Sequence, residues 1–200
     1  MKALVIIDVQ NDFLPGGSLA VVDGDAVVPV INELQKQFPC VVATKDWHPQ
    51  DHKSFAAVHG REIGEIIDLE GLPQILWPVH CVQGTHGAEF SSALHTDAIE
   101  KVFEKGTDVN IDSYSGLYDN ARRRSTGLST YLKEKGVDEI VVVGLATDYC
   151  VKATVLDALE DGFKVSVDLR GCRAVNLNPG DEAKAIEEMR AKGARILGSE

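Results

Sequence analysis

Five short stretches of this chain hold residue types that can do chemistry. In the run Gly144-Leu-Ala-Thr-Asp-Tyr-Cys150, a thiol stands just past a nearly unbroken Val/Ile segment. If Thr147 caps the helix that follows, Cys150 falls in its first turn, where unpaired backbone N–H groups and the helix dipole favour a thiolate. That setting predicts a thiol pKa below the free value of about 8.5. The same N–H groups can hold a developing oxyanion. Cys150 reads equally as a small core residue at a strand–helix junction. Asp8, inside Val-Ile-Ile-Asp-Val-Gln-Asn-Asp-Phe, is a carboxylate among apolar neighbours and needs a partner. It can serve as general base to a nearby thiol or as a turn-forming residue. Lys105, in Phe-Glu-Lys-Gly-Thr-Asp, is a solvated strand-end lysine unless the site needs a cation beside Asp8 and Cys150.

A second constellation joins Lys-Asp-Trp-His-Pro-Gln-Asp-His (45–52) to Trp-Pro-Val-His-Cys (77–81). Asp46 and His48 are two apart, so on an extended segment their side chains point the same way. His80 closes a set of one carboxylate and two imidazoles, which suits Zn²⁺, Fe²⁺ or Mn²⁺ and leaves positions open for water or substrate. His52, His59 and His86 are further candidates, and Cys81 adjoins His80.

The elements that must position these groups are legible in the apolar pattern. Strand-like runs occur at 3–9, 40–44, 99–104, 138–143, 163–168 and 194–197, several of them continuous Val/Ile as in a buried parallel sheet. Helical spacing fills 25–37, 126–135, 147–161 and 181–192, the last three followed by Gly136, Gly162 and Gly193. Strand–helix alternation predicts a doubly wound α/β fold, read as a single domain over 1–200. The passage 45–98, rich in His, Pro and Gly, reads as a site-building insertion or lid. Ligands of such sheets bind beyond the carboxyl ends of the strands, where strand order reverses. Asp8, Lys45 to His48, Lys105 and Gly144 to Cys150 all follow strands.

The totals exclude several classes. With 20 Lys plus Arg against 31 Asp plus Glu, the net charge of -11 repels nucleic acid and anionic membrane surfaces. The first apolar run breaks at Asp8, so no secretory leader is expected, and no run approaches the ~20 residues of a membrane span. Cys40, Cys81, Cys150 and Cys172 include no C-x-x-C pair and read as reduced thiols of a cytoplasmic protein. No Walker loop or dinucleotide glycine fingerprint is present.

Taken together, Asp8-Val-Gln-Asn-Asp-Phe-Leu-Pro-Gly-Gly-Ser-Leu19, Asp46-Trp-His-Pro with Ser54-Phe55, Trp77-Pro-Val-His-Cys81 and Gly144-Leu-Ala-Thr-Asp-Tyr-Cys150 resemble the nicotinamidase family of isochorismatase-like hydrolases. The likeness runs from residue 3 to about residue 192. It implies a three-layer α/β/α domain around a six-stranded parallel sheet in the order 3-2-1-4-5-6. It implies hydrolysis of nicotinamide to nicotinate and ammonia within NAD salvage, with pyrazinamide-like analogues as further substrates. The family's catalytic aspartate, lysine and cysteine fall on Asp8, Lys105 and Cys150, and its metal ligands on Asp46, His48 and His80, with zinc first and iron or manganese as alternatives. His52 or Ser54 is the candidate for a further ligand. The pyridine pocket falls on Phe13 and Trp77, with Tyr114 and Tyr149 nearby. The oxyanion hole falls on the backbone N–H groups of Ala146 and Cys150, beside a cis Leu145–Ala146 peptide. One departure stands out: where the family pattern leads to expect Ala-Phe after Asp112-Ser-Tyr-Ser115, this chain has Gly116-Leu117, which bears on the pocket's outer wall.

The expected partner is a small amide, with no nucleic acid and no membrane; a homo-oligomer is compatible with everything in the chain. The competing readings are another cysteine amidohydrolase of the same superfamily, a non-catalytic metal- or nicotinamide-binding protein, and a thiol-redox protein. The metal triad argues against the first, the filled catalytic positions against the second, and the absence of a resolving cysteine near Cys150 against the third.

Overall fold

A computed structural model describes residues 1–198. Six strands form one parallel sheet: β1 (Lys2–Ile7), β2 (Cys40–Asp46), β5 (Lys101–Lys105), β6 (Glu139–Leu145), β7 (Lys164–Arg173) and β8 (Arg195–Leu197). They lie in the order β5-β2-β1-β6-β7-β8. Counting only the strands of this sheet, that is the expected 3-2-1-4-5-6. Strand order reverses between β1 and β6, the place where doubly wound sheets bind ligands.

Period-two alternation sorts the central strand onto two cores. Ala3, Val5 and Ile7 of β1 join one cluster, with Leu128 and Leu132 of α3 (Leu128–Glu134), Val155 and Ala158 of α4 (Lys152–Glu160), and Met189 of α5 (Asp181–Ala191). Leu4 and Ile6 join the other, with Val27, Val28, Ile31 and Leu34 of α1 (Val27–Gln35). Each fully buried Val, Leu or Ile contributes about 1.5–3 kcal/mol, so both faces of β1 hold the helical layers in place. No helix among the described residues is long and apolar enough to cross a membrane.

Two differences from the sequence reading concern the site. First, the passage 45–98 has regular structure of its own: a short helix α2 (Ala56–His59) and an antiparallel hairpin of β3 (Ile66–Leu69) and β4 (Leu72–Ile75). Strands of four residues fall below the length at which alternation is readable. Second, Thr147 is not an N-cap. Residues Thr147–Val151 form a π turn, wider than an α turn, and Ala146 precedes it in extended conformation. The Ala146 carbonyl accepts the N–H groups of both Tyr149 (3.2 Å) and Val151 (3.1 Å). The Thr147 hydroxyl is buried without a partner. Such turns recur at functional sites because they re-aim one side chain without ending the helix.

Candidate active site

The sheet register brings the charged groups together. In the β2–β5 pairing Asp46 lies opposite Lys105, the last residue of each strand. β1 ends one residue before Asp8, and its Ile7 lies opposite Gly144 of β6. A Cβ at Gly144 would come within 2.1 Å of the Ile7 carbonyl oxygen, and Gly144 has a φ of +119°. Only glycine lets β6 pass so close to β1 and then turn toward Cys150. The Leu145–Ala146 peptide that follows is cis, as the resemblance implied.

Lys105 is the hub. Its fully buried ammonium lies 2.8 Å from Asp8 Oδ2, donates to Asp46 Oδ1 and to the Ser113 carbonyl oxygen (2.8 Å), and sits 3.4 Å from Cys150 Sγ. Thr44 donates its hydroxyl to Asp8 Oδ1 at 2.6 Å. Ligating atoms of Asp8, Asp46 and Cys150 lie within 4.8 Å of one another. A buried cation flanked by two buried carboxylates is a paired arrangement, which is how charges survive away from water.

Burial shapes the titration of this cluster. It opposes the Lys105 charge, but Asp46 and Asp8 outweigh it and hold the ammonium well above its ordinary value. Burial raises Asp8 to about 6 against the pull of Lys105. Asp46, although burial opposes its charge, is held well below the carboxylate range by Lys105 and His48. The Cys150 thiol is pushed well up by burial, with Asp8, Asp46 and Asp112 adding to the shift and Lys105 opposing it. This corrects the expectation of a thiolate lowered by a helix terminus. The end of a π turn is a weak partial charge, whereas desolvation and three nearby carboxylates act at full strength. Cys150 therefore rests as a thiol and needs a base.

Beside the hub lies a set of three donor atoms. The Nε2 atoms of His48 and His80 are each 3.6 Å from Asp46 Oδ2. His48 Nδ1 lies 2.9 Å from the Gly106 carbonyl oxygen, and His80 Nδ1 lies 2.7 Å from that of Pro78. Both carbonyls demand a donor, so each ring gives an Nδ1 proton to the backbone and turns Nε2 toward Asp46; burial opposes the charge of His48, but Asp46 outweighs it and raises its pKa. His48 Nε2 is buried and unpartnered. A Cβ at Gly106 would strike the His48 ring at 2.4 Å, so glycine is required behind it. Gln10, buried, grips the Asp46 backbone at both N–H (2.9 Å) and C=O (2.8 Å). An orphaned imidazole nitrogen, a second one and a carboxylate oxygen in one dry corner fit a divalent cation.

The remaining metal candidates have protein partners of their own, although ligating atoms of His52, His48 and Asp112 also lie within 4.8 Å of one another. His52 Nδ1 accepts from the Ser54 N–H (3.1 Å) and lies 2.7 Å from the Ser54 hydroxyl, and its Nε2 lies 3.3 Å from the Ile111 carbonyl oxygen. Burial lowers His52 to about 4, so it is neutral. His59 bonds the Lys53 carbonyl and His86 lies exposed beside Glu89. Cys81 packs into the α1-side core.

Above the hub is a small pocket, partly open to solvent and walled mainly by aromatic and apolar side chains. Phe13, Trp77, Tyr114, Tyr149, Ala146, Cys150, Asp46 and His80 all line it. Tyr149 meets Trp77 and Tyr114 edge-on, at centroid separations of 5.0 and 5.6 Å. Trp77 Nε1 donates to the Tyr114 hydroxyl at 3.1 Å, fixing that wall. Leu19, Asp112 and Val175 also line the cavity and were not singled out from sequence. Leu19 and Val175 are apolar loop residues without any local signal. Val175 is held because Asp148 accepts the N–H groups of Val175 (2.9 Å) and Asn176 (2.8 Å). Gly116 and Leu117, where the chain departs from the family pattern, are not among the lining residues; Leu117 is in the core.

Comparison with known proteins agrees with this geometry. The model of the isochorismatase domain matches residues 2–200. A nicotinamidase of Escherichia coli (strain K12) is 50% identical over 98% of this chain and 93% of its own length. The solved structure of an Acinetobacter baumanii nicotinamidase and pyrazinamidase superposes with a TM-score of 0.95, at 46% identity over 98% of this chain and 95% of that one. A zinc complex of the Pyrococcus horikoshii pyrazinamidase superposes with a TM-score of 0.80, at 38% identity over 98% of both chains. A sheet order, a thiol–carboxylate–ammonium cluster and a domain match over nearly every residue lead to one assignment: the chain belongs to the isochorismatase family.

Proposed function

We infer that this chain hydrolyses nicotinamide to nicotinate and ammonia through a thioester on Cys150, a step of NAD salvage. The observation that carries the reading is the Lys105 ammonium in contact with Asp8, Asp46 and the Cys150 thiol, beneath an aromatic-walled cavity. The activity of the similar Escherichia coli protein supports it. Pyrazinamide, a ring analogue bearing the same carboxamide, is a second substrate on this reading, as for the similar Acinetobacter protein.

Ionised Asp8 takes the Sγ proton of Cys150 while sulfur attacks the carboxamide carbon. The backbone N–H groups of Ala146 and Cys150 hold the resulting oxyanion. Asp8 hands its proton to the amide nitrogen, the C–N bond breaks and ammonia leaves. Water then adds to the thioester carbon with Asp8 again as base, the C–S bond breaks, and the proton returns to sulfur. Lys105 keeps Asp8 ionised and in register with the thiol. Phe13, Trp77, Tyr114 and Tyr149 hold the pyridine ring. Asp46, His48 and His80 are the residues that would hold a divalent metal, zinc first, supplying when bound an anchor for the ring nitrogen and ordered water. The passage 45–98 serves as the site-building insertion of a single domain, contributing the two histidines and Trp77. The four cysteines, all unpaired, suit the reducing cytoplasm.

The test is ammonia release from nicotinamide by metal-replete protein, with and without chelator. Chelation should lower release about 10- to 100-fold, reversibly on adding Zn²⁺. No release by the metal-replete protein would overturn the reading.

A pH dependence follows from Asp8. Its folded pKa, about 6, exceeds the ordinary 3.8, and the base form is the active one. The rate therefore holds at neutral pH and falls as pH drops through about 6. A divalent cation at Asp46 favours the Asp8 carboxylate and moves that limb lower, never higher. A kcat/KM profile with an acid limb above pH 7 would remove Asp8 from the role of base.

A further inference from the structure

Thr44 holds Asp8 twice. Its carbonyl accepts the Asp8 N–H at 3.3 Å and its hydroxyl donates to Asp8 Oδ1 at 2.6 Å. Thr44 is fully buried, so water does not compete for that bond. The other oxygen, Oδ2, faces the Lys105 ammonium at 2.8 Å but has no aligned hydrogen bond. The terminal torsion of an aspartate is broad, and an unrestrained carboxylate presents either oxygen. The hydroxyl at Oδ1 removes that freedom.

The far side of Thr44 meets Gly116. A Cβ at Gly116 would lie 2.8 Å from Thr44 Cγ2, whereas its next neighbours, Thr154 Oγ1 and Leu128 Cδ2, are at an ordinary 3.5 and 3.6 Å. Threonine is stiff at χ1, so the methyl cannot retreat without swinging the hydroxyl off Asp8. Nor is residue 116 free to back away. Its N–H donates to Thr154 Oγ1 (2.9 Å), and that hydroxyl donates to the Cys150 carbonyl oxygen (2.7 Å).

We propose that Thr44 is a positioning residue whose hydroxyl pins Asp8 Oδ1, leaving Oδ2 as the oxygen that exchanges protons with Cys150 and the substrate nitrogen. Gly116 is glycine in this chain because Thr44 carries a methyl, and an alanine at 116 requires a smaller residue at 44. The role given to Asp8 rests on the function inferred above.

Four variants test this. Thr44→Val keeps the shape without the hydroxyl and should lower kcat about 10- to 100-fold with KM within about twofold. Thr44→Ser keeps the hydroxyl and should stay within about threefold of the parent. Gly116→Ala should lose kcat as Thr44→Val does. The double variant Thr44→Ser/Gly116→Ala should recover to the level of Thr44→Ser, a coupling expected only of residues in contact. Parental kcat in Thr44→Val, or a double variant no better than Gly116→Ala, overturns the proposal. Crystal structures of the parent and Thr44→Val provide an arm independent of substrate: the carboxylate of Asp8 should be turned in the variant, and an unmoved carboxylate overturns the proposal. If the parent releases no ammonia from nicotinamide, the functional reading falls while this arm still decides the role of Thr44.

Discussion

Cys150→Ala is expected to reduce ammonia release from nicotinamide by about 10⁴-fold or more, the usual scale for loss of a nucleophile. The fold should survive. One buried sulfur amounts to about 1 kcal/mol of apolar burial, and the Lys105 ammonium retains Asp8, Asp46 and the Ser113 carbonyl as partners. Metal content should also be unchanged, because none of the three donor atoms contacts the thiol through a hydrogen bond. Acid-quenched mass spectrometry sharpens the outcome. A nicotinoyl adduct should appear on the parent during turnover and be missing from the variant. Substantial turnover by Cys150→Ala would remove the thioester from the mechanism.

Lys105→Met is expected to damage both activity and stability. It removes the cation between two buried carboxylates and leaves them uncompensated, a change that costs about 3–5 kcal/mol. Without the ammonium, Asp8 loses the main influence that lowers its pKa, so it stays protonated at neutral pH and cannot act as base. The rate should fall about 10²- to 10⁴-fold. The pH dependence of stability has a definite sign. Asp8 already has a folded pKa of about 6 against an ordinary 3.8, and the substitution raises it further. The folded variant then binds more protons than the unfolded chain between those values, so its stability falls as pH rises through the folded pKa. Thermal melts in chelator should show a smaller deficit against the parent at pH 5.5 than at pH 8. An equal deficit at both would mean that Lys105 acts through packing rather than charge.

Much of this arrangement was legible without coordinates, because it depends on residue type and period. Continuous Val/Ile runs mark strands buried on both faces, and the polar residues that end such runs must gather at one edge of a parallel sheet. Asp8, Asp46, Lys105 and Cys150 stood out as candidates by that position, while their roles, like the sheet order, followed from the family resemblance. The hairpin at 66–75 was not legible, since four-residue strands carry too little alternation. Leu19 and Val175 were not either, because an apolar residue in a loop looks the same whether it faces a cavity or covers one.

The local pattern misled at Cys150. A threonine before a helical run suggests an N-cap and an activated thiolate, yet the segment folds as a π turn opened by the Ala146 carbonyl, and burial holds the proton on sulfur. The reason is general. Chain order determined which chemical groups exist and roughly at which end of the sheet they emerge. Tertiary structure decided which atoms of those groups meet, which imidazole nitrogen is left bare, and how far each is removed from water. Hydrogen bonding and desolvation act over a few ångströms, between residues that the chain keeps far apart.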